Sequence, residues 1–320
     1  MIDADELTLI RGSLTHALET VDAPAIPGAL LELGWAELLA TDPAAVVPVT
    51  AEEQGRLRTP TPVLDLVALA AAGLPVTADV ALVLPAPTRA GLHSATTSDD
   101  GLHVDGVALA GHGRAETCVV LATDGLWQVP AAALEHVPLA GGDPDVGLAR
   151  RRGRVPSDEA TRVGGPDEAA SVLAAGRRFL SSELLGLADH MLTGARDYVL
   201  ARQQFGHPIG AFQAVKHRLA DVHVAIAAGR AGVTTAWSDR SPTSAMAAKC
   251  LAGRAHAVAA AQCHQVQGGM AFTAEHGFHR SIRRGQVLDA LLGTSRDLTR
   301  SLGRQLLADR VVPRAPTVSG

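Results

Sequence analysis

The sequence predicts an α+β chain: helices over 1–80, a small middle β domain over 81–165, a helical bundle over 166–310 and a frayed tail at 311–320. Three observations predict it. Apolar residues are 47% of the 320 but aromatics only 3%, so the core must be built from Ala, Leu and Val, which suits close-packed helices. The hydrophobic period changes from helical to strand-like near residue 81 and back near 168. Between those points, short β-prone runs are separated by Gly, Asp and Pro.

In the first segment, "LTLIRGSLTHAL" and "ALLELGWAELLA" each carry one apolar face, and the Pro-rich break at 60–62 leads into an apolar helix at 63–72. The run "VLDLVALAAAGLPV" is interrupted by Asp65, Gly73 and Pro75 and is shorter than a bilayer-spanning helix requires. In the second segment, "VALVLP", "GLHVDGVALAG", "TCVVLAT" and "LWQVP" read as strands of a small sheet or barrel. In the third, Leu180, Leu184, Leu187 and Met191 lie on one helical face, as do Phe212, Val215, Leu219, Val222 and Ile226. Val287, Leu291, Leu298, Leu302 and Leu306 mark the apolar face of a last helix. Between them, "AMAAKCLAGRAHAVAAAQCHQVQGG" is so rich in Ala and Gly that neighbouring helices would approach closely.

The formal charge of −5 and pI near 6.2 argue against a general nucleic-acid binder. The basic run "ARRRGRV" at 149–155 is one short cluster in an acidic chain and reads as a solvated strand or loop. "MIDADELTLIRG" has neither the basic start nor the apolar core of a secretory signal. Three cysteines without paired spacing suit a reduced, cytoplasmic setting.

Several stretches invite a chemical reading. "RQQFGHPIGAFQAVKHRLAD" (202–221) is either an ordinary helix–helix connection or an Arg-bearing loop that holds an anion such as a pyrophosphate. The paired glycines of "QVQGGMAF" (265–272) allow a sharp turn or the close approach of a ligand. Cys263, His264, His276 and His279 do not have the spacing of paired metal ligands, so no metal is expected. There is no Gly-x-Ser-x-Gly elbow, dinucleotide fingerprint or P-loop.

Taken together, "YVLARQQFGHPIGAFQAVKHRLAD", "QCHQVQGGMAFTAEHGFHR" and "LLGTSRDL" resemble the C-terminal domain of the acyl-CoA dehydrogenase family over about residues 168–308. The resemblance implies that family's architecture: an N-terminal helical domain, a middle β domain and a C-terminal four-helix bundle. It also implies FAD, shared at a subunit interface. Arg202 and Phe205 would approach the cofactor's pyrophosphate and adenine part with Gln213 nearby, Gln265 and Gly269 would meet the same FAD, and Thr294 would sit near its phosphates. Arg296 stands where the family usually has Gln, which changes that contact.

Family members remove the α-proton of an acyl-CoA with a glutamate just before the Gly-Thr of the last turn, or with one on the first helix of the bundle. Here those seats hold Leu292 and Gly176, and neither can accept a proton. The family's flavin-cupping loop has no convincing copy in "LVLPAPTRAGLHSATTSDDG" (82–101). The pattern resembles the short β-type subunit of heterotetrameric (α2β2) acyl-CoA dehydrogenases of bacterial steroid and cholesterol catabolism. The resemblance therefore implies an α-type dehydrogenase subunit, an acyl-CoA substrate and an electron-transferring flavoprotein as partners. Two alternatives stay open. One is a self-sufficient homo-oligomer with Glu183 or Glu275 as a relocated base. The other is a non-catalytic acyl-CoA-binding or regulatory homologue.

Overall fold

The structure, a computed structural model, describes residues 2–310 apart from 88–90, 110–114, 140, 144, 146 and 274–276. The tail expected at 311–320 therefore lies outside the described residues, as do Glu275 and His276.

Five helices form the first segment: α1 (Ala4–Thr20), α2 (Ile26–Glu32), α3 (Trp35–Thr41), α4 (Pro43–Leu57) and α5 (Val63–Ala71). The single helix expected over "ALLELGWAELLA" is two, because Gly34 takes the left-handed conformation at φ 78° between α2 and α3. Helix α4 was not expected from its sequence, which carries Pro48 in the middle. It forms because Pro43 opens it at a position needing no N–H donor and Asp42 caps it, accepting from the Ala45 N–H at 3.2 Å.

The second segment is an eight-stranded sheet of β1 (Val80–Pro85), β2 (Ala95–Ser98), β3 (Gly101–Ala108), β4 (Thr117–Ala122), β5 (Gly125–Pro130), β6 (Glu135–Pro138), β7 (Ala149–Val155) and β8 (Thr161–Gly164). The order is β6-β7-β3-β1-β4-β5-β8 with β2 against β3, and only β1 and β4 are parallel. Along β1 the pleat sends Leu82 and Leu84 into the main core and Ala81 and Val83 into a second, smaller one. The basic run is strand β7, and its charges are spent across the sheet. Arg150 pairs with Asp105 at 2.8 Å, Arg152 with Glu135 at 2.7 Å, and Arg154 with Asp100.

The third segment has three long helices, α6 (Pro166–Ala201), α7 (Gln213–Asp239) and α8 (Pro242–Gln267), and two shorter ones, α9 (Phe278–Ala290) and α10 (Ser295–Asp309). A two-residue-per-strand hairpin, β9 (Gln203–Gln204) with β10 (His207–Pro208), joins α6 to α7. The last apolar face is not one helix but two, broken at 291–294. Along α8, Ala245, Ala248, Ala252, Ala255 and Ala259 are fully buried, so the small-residue stripe is where the helices close together. The first segment, one side of the sheet and the bundle share a single hydrophobic core.

Candidate functional site

The two expected base seats, 116 residues apart in sequence, face each other across van der Waals contact. A Cβ on Gly176 would stand only 2.5 Å from Leu292 Cδ1, so the side chain of Leu292 occupies the space that any side chain at 176 would need. Leu292 is 2% exposed and holds φ at +56°, a conformation that costs a branched side chain about 1–2 kcal/mol.

Two buried cations hold that turn in place. Arg177 donates Nε to the Leu292 carbonyl at 3.1 Å. Lys249, with no exposed side-chain surface, donates Nζ to the carbonyls of Asp289 (2.9 Å), Leu291 (3.3 Å) and Gly293 (3.3 Å). The Asp289 and Leu291 carbonyls close the end of α9 and that of Gly293 leads into α10, so the lysine pins the turn from inside. Burial lowers Lys249 to about 8, against the pull of Asp289, and burial lowers Arg177 to about 10. A cavity of about 450 Å³ beside the turn is bounded by Leu92, Arg177, Met246, Leu292, Thr294 and Arg304. Among the described residues lining it, Asp297 is the one carboxylate.

Thr294 is the N-cap of α10. Its hydroxyl accepts from the Asp297 N–H at 3.0 Å and donates to the Asp297 carboxylate at 2.8 Å. Asp297 thus engages the hydroxyl, while Arg177 and Arg304 bring two cations to the same cavity. Arg296, in the first turn of α10, is exposed.

The other expected residues sit elsewhere. Arg202 ends α6, Phe205 is at the tip of the β9–β10 hairpin, Gln213 starts α7, and Gln265 and Gly269 lie around the end of α8. All five are exposed. The pairing of Arg218 Nη1 with Gln262 Oε1 at 2.6 Å brings the start of α7 beside the end of α8. The Leu292 turn instead packs near the start of α8, where Cys250 Sγ reaches Ser295 O at 3.5 Å. Cys250 and Gln265 are fifteen residues apart on one helix, ~22 Å along its axis. The seven expected cofactor residues thus form two groups, five at the hairpin end and two at the Leu292 end.

The hairpin tip is unusual. Phe205 and Gly206 both have positive φ, 55° and 79°, as the tight two-residue connection requires. Phe205 is 89% exposed, with its ring edge-on to Phe212 at 6.2 Å between centroids. A strained, exposed aromatic flanked by exposed amides fits a flat heterocycle presented from outside the chain.

Glu183, a candidate relocated base, is 1% exposed and paired with Arg284, whose Nε donates to it at 3.0 Å. Arg284 also donates Nη2 to the Thr59 carbonyl at 2.9 Å. Among the described residues no group of three His, Cys, Asp or Glu is placed to hold a metal ion, and no helix is long and apolar enough to cross a membrane.

Sequence reasoning missed Arg177, Lys249 and Arg284. Lys249 left a signal: it is a lone cation on the alanine stripe, a position that buries whatever occupies it.

Residues 164–307 match the family model "Acyl-CoA dehydrogenase, C-terminal domain". Acyl-CoA dehydrogenase IpdE2 of Mycobacterium tuberculosis is 39% identical over 165 residues, 52% of this chain and 50% of that protein. Acyl-CoA dehydrogenase FadE34 of the same organism is 35% identical over 190 residues, 55% of this chain and 26% of that protein. The chain spans about half the length of the IpdE2 relatives it matches. Among solved structures, a chain of the ChsE4-ChsE5 complex from M. tuberculosis superposes with a TM-score of 0.77 at 21% identity, covering 98% of this chain and 99% of that one. A variant of the Tcur3481-Tcur3483 steroid ACAD gives 0.76 at 22%, covering 96% and 98%. At such identities the likeness is one of fold.

Proposed function

We propose, for a chain whose residues 164–307 match the acyl-CoA dehydrogenase C-terminal domain, that it works as a partner-dependent subunit of an FAD-linked acyl-CoA dehydrogenase. It completes the partner's flavin site and lacks a base of its own. The observation that carries this reading is the contact between Gly176 and Leu292, which fills both base seats with hydrocarbon. The exposed set at the other end of the bundle supports the second half of it. Arg202 supplies a cation for a diphosphate, Phe205 an aromatic face, and Gln213, Gln265 and the Gly269 backbone polar contacts. Thr294 and Arg296 lie at the Leu292 end of the bundle, apart from that set, and would approach FAD phosphates from there.

Bound FAD supplies the hydride acceptor for α,β-dehydrogenation of an acyl-CoA thioester, and the partner supplies the proton-accepting glutamate. This chain's residues bind and orient. Lys249 and Arg177 hold the backbone of the Leu292 turn through its carbonyls, so the leucine stays in the base seat. The structural neighbours include one described as a complex and one as a steroid ACAD, which supports a hetero-oligomer acting on a steroid-derived substrate. Electrons would leave through an electron-transferring flavoprotein.

The test is flavin content and turnover of the purified chain, alone and co-produced with an α-type acyl-CoA dehydrogenase. A colourless, inert chain and a yellow, active pair with one FAD per heterodimer support the reading. Stoichiometric FAD and turnover in the chain alone overturn it. In the active pair, Glu183→Gln is expected to leave turnover unchanged, because that carboxylate is buried against Arg284 rather than against substrate; a large loss would make it the base.

A further inference from the structure

A cavity of about 800 Å³ lies on the far side of α6 from Leu292. Gly176 and Arg177 face the 291–293 turn, whereas Ala170, Ala174 and Arg178, spaced by four, line the opposite face of the helix. The cavity opens to the surface between α3, α5, α6 and the α7–α8 connection, and its walls are mainly Ala, Leu and Val. Its size is that of a small-molecule pocket, roughly 300–1,000 Å³.

Two buried polar groups line it. The Arg178 guanidinium lies 4.6 Å over the Trp237 ring and reaches the Ala236 carbonyl through Nη1 at 3.5 Å. Arg178 Nε and the Trp237 indole N–H are both buried and have no hydrogen-bond partner among the described residues. Arg178 and Trp237 are 6% and 7% exposed, so neither donor is satisfied by open solvent. Asp239 is the carboxylate that attracts Arg178, and it also accepts from the Ser241 N–H at 2.9 Å and from the Ser244 hydroxyl. Arg240, also on the lining, adds a second cation, and Asp167 at the exposed start of α6 is the one lining carboxylate. A buried guanidinium N–H and an indole N–H left without acceptors are a standing cost that a bound carboxylate would relieve.

We propose that this cavity binds a small amphiphilic monoanion, an apolar body bearing one carboxylate that accepts from Arg178 Nε and the Trp237 N–H. The alanine-rich walls take the apolar body without a polar cost. Asp167 disfavours a polyanion, which separates this site from a diphosphate or CoA site. The site needs neither flavin nor a partner chain, so its test is independent of the function proposed above.

The experiment is calorimetric titration of the full-length purified chain with decanoate and with dehydroabietate, a flexible and a rigid carboxylate, and with their methyl esters. Trp237 emission is followed in parallel, with Trp237→Phe as the assignment control. The expected result is saturable one-to-one binding of at least one acid, about tenfold weaker binding of its ester, and a Trp237 emission change. Arg178→Leu should erase the preference for the acid, while Ala170→Phe, at an exposed lining position, should remove binding of both forms. Circular dichroism confirms that each variant is folded. Absence of saturable binding of both acids at millimolar concentration overturns the proposal. So does equal binding of acid and ester that Arg178→Leu leaves unchanged, which would mark a merely apolar cleft.

Discussion

The side chain of Leu292 explains two departures from the family pattern at once. Leucine at 292 puts hydrocarbon in one base seat, and its Cδ1 lies where a Cβ at 176 would have to go, which leaves glycine in the other. Gly176→Ala is therefore expected to destabilise the chain by ~1–3 kcal/mol, the usual cost of overpacking. Combining it with Leu292→Ala should cost less than the sum of the two single changes, because the second change removes the clash. Urea denaturation followed by circular dichroism measures both, and strict additivity would mean that the two residues do not meet.

At the scale of elements, the α9–α10 turn and the β9–β10 hairpin show opposite designs. The turn is clamped from inside by Lys249. That group is held at about 8 by burial, with Arg177 beside it, whereas its ordinary value is 10.5. Between these values the unfolded chain binds more protons than the folded one, so the lysine's contribution to stability rises with pH across that interval. Lys249→Met should abolish that rise in denaturant midpoints measured along the interval, while other groups keep their own slopes. The hairpin, by contrast, stores strain at an exposed tip. Phe205→Gly is expected to leave the isolated chain as stable or more stable by ~1 kcal/mol. It should nevertheless lower the flavin retained by the assembled pair by about tenfold, the loss of one aromatic anchor. Unchanged flavin content would remove Phe205 from the interface.

At the scale of the whole molecule, Arg284 of α9 ties the segments together, pairing with Glu183 of α6 and with the Thr59 carbonyl ahead of α5. Arg284→Ala leaves Glu183 buried without its partner, and a loss of ~3–5 kcal/mol is expected. Since the N-terminal helices and the bundle share one core, the loss should appear as a lower midpoint of a single calorimetric transition, not as separate melting of two parts.

Much of this molecule is legible in the order of its residues. Periodicity and turn residues located the bundle helices and four strands of the sheet, because backbone geometry and local side-chain spacing are short-range properties, whereas the chemistry expected at the R-x-x-F-G, Q-x-x-G-G and G-T-S stretches rested on resemblance. The short strands β2, β6 and β8 were not legible, since four residues carry too little pattern, and α4 was hidden by its internal proline. What only the tertiary structure decided is long-range. It brought Gly176 to Leu292, separated Thr294 from Phe205 by most of the length of α8, and buried Lys249, Arg284 and Arg178. Helical spacing records which residues share a face of one helix, but which face meets which neighbour is settled by close packing of the whole core.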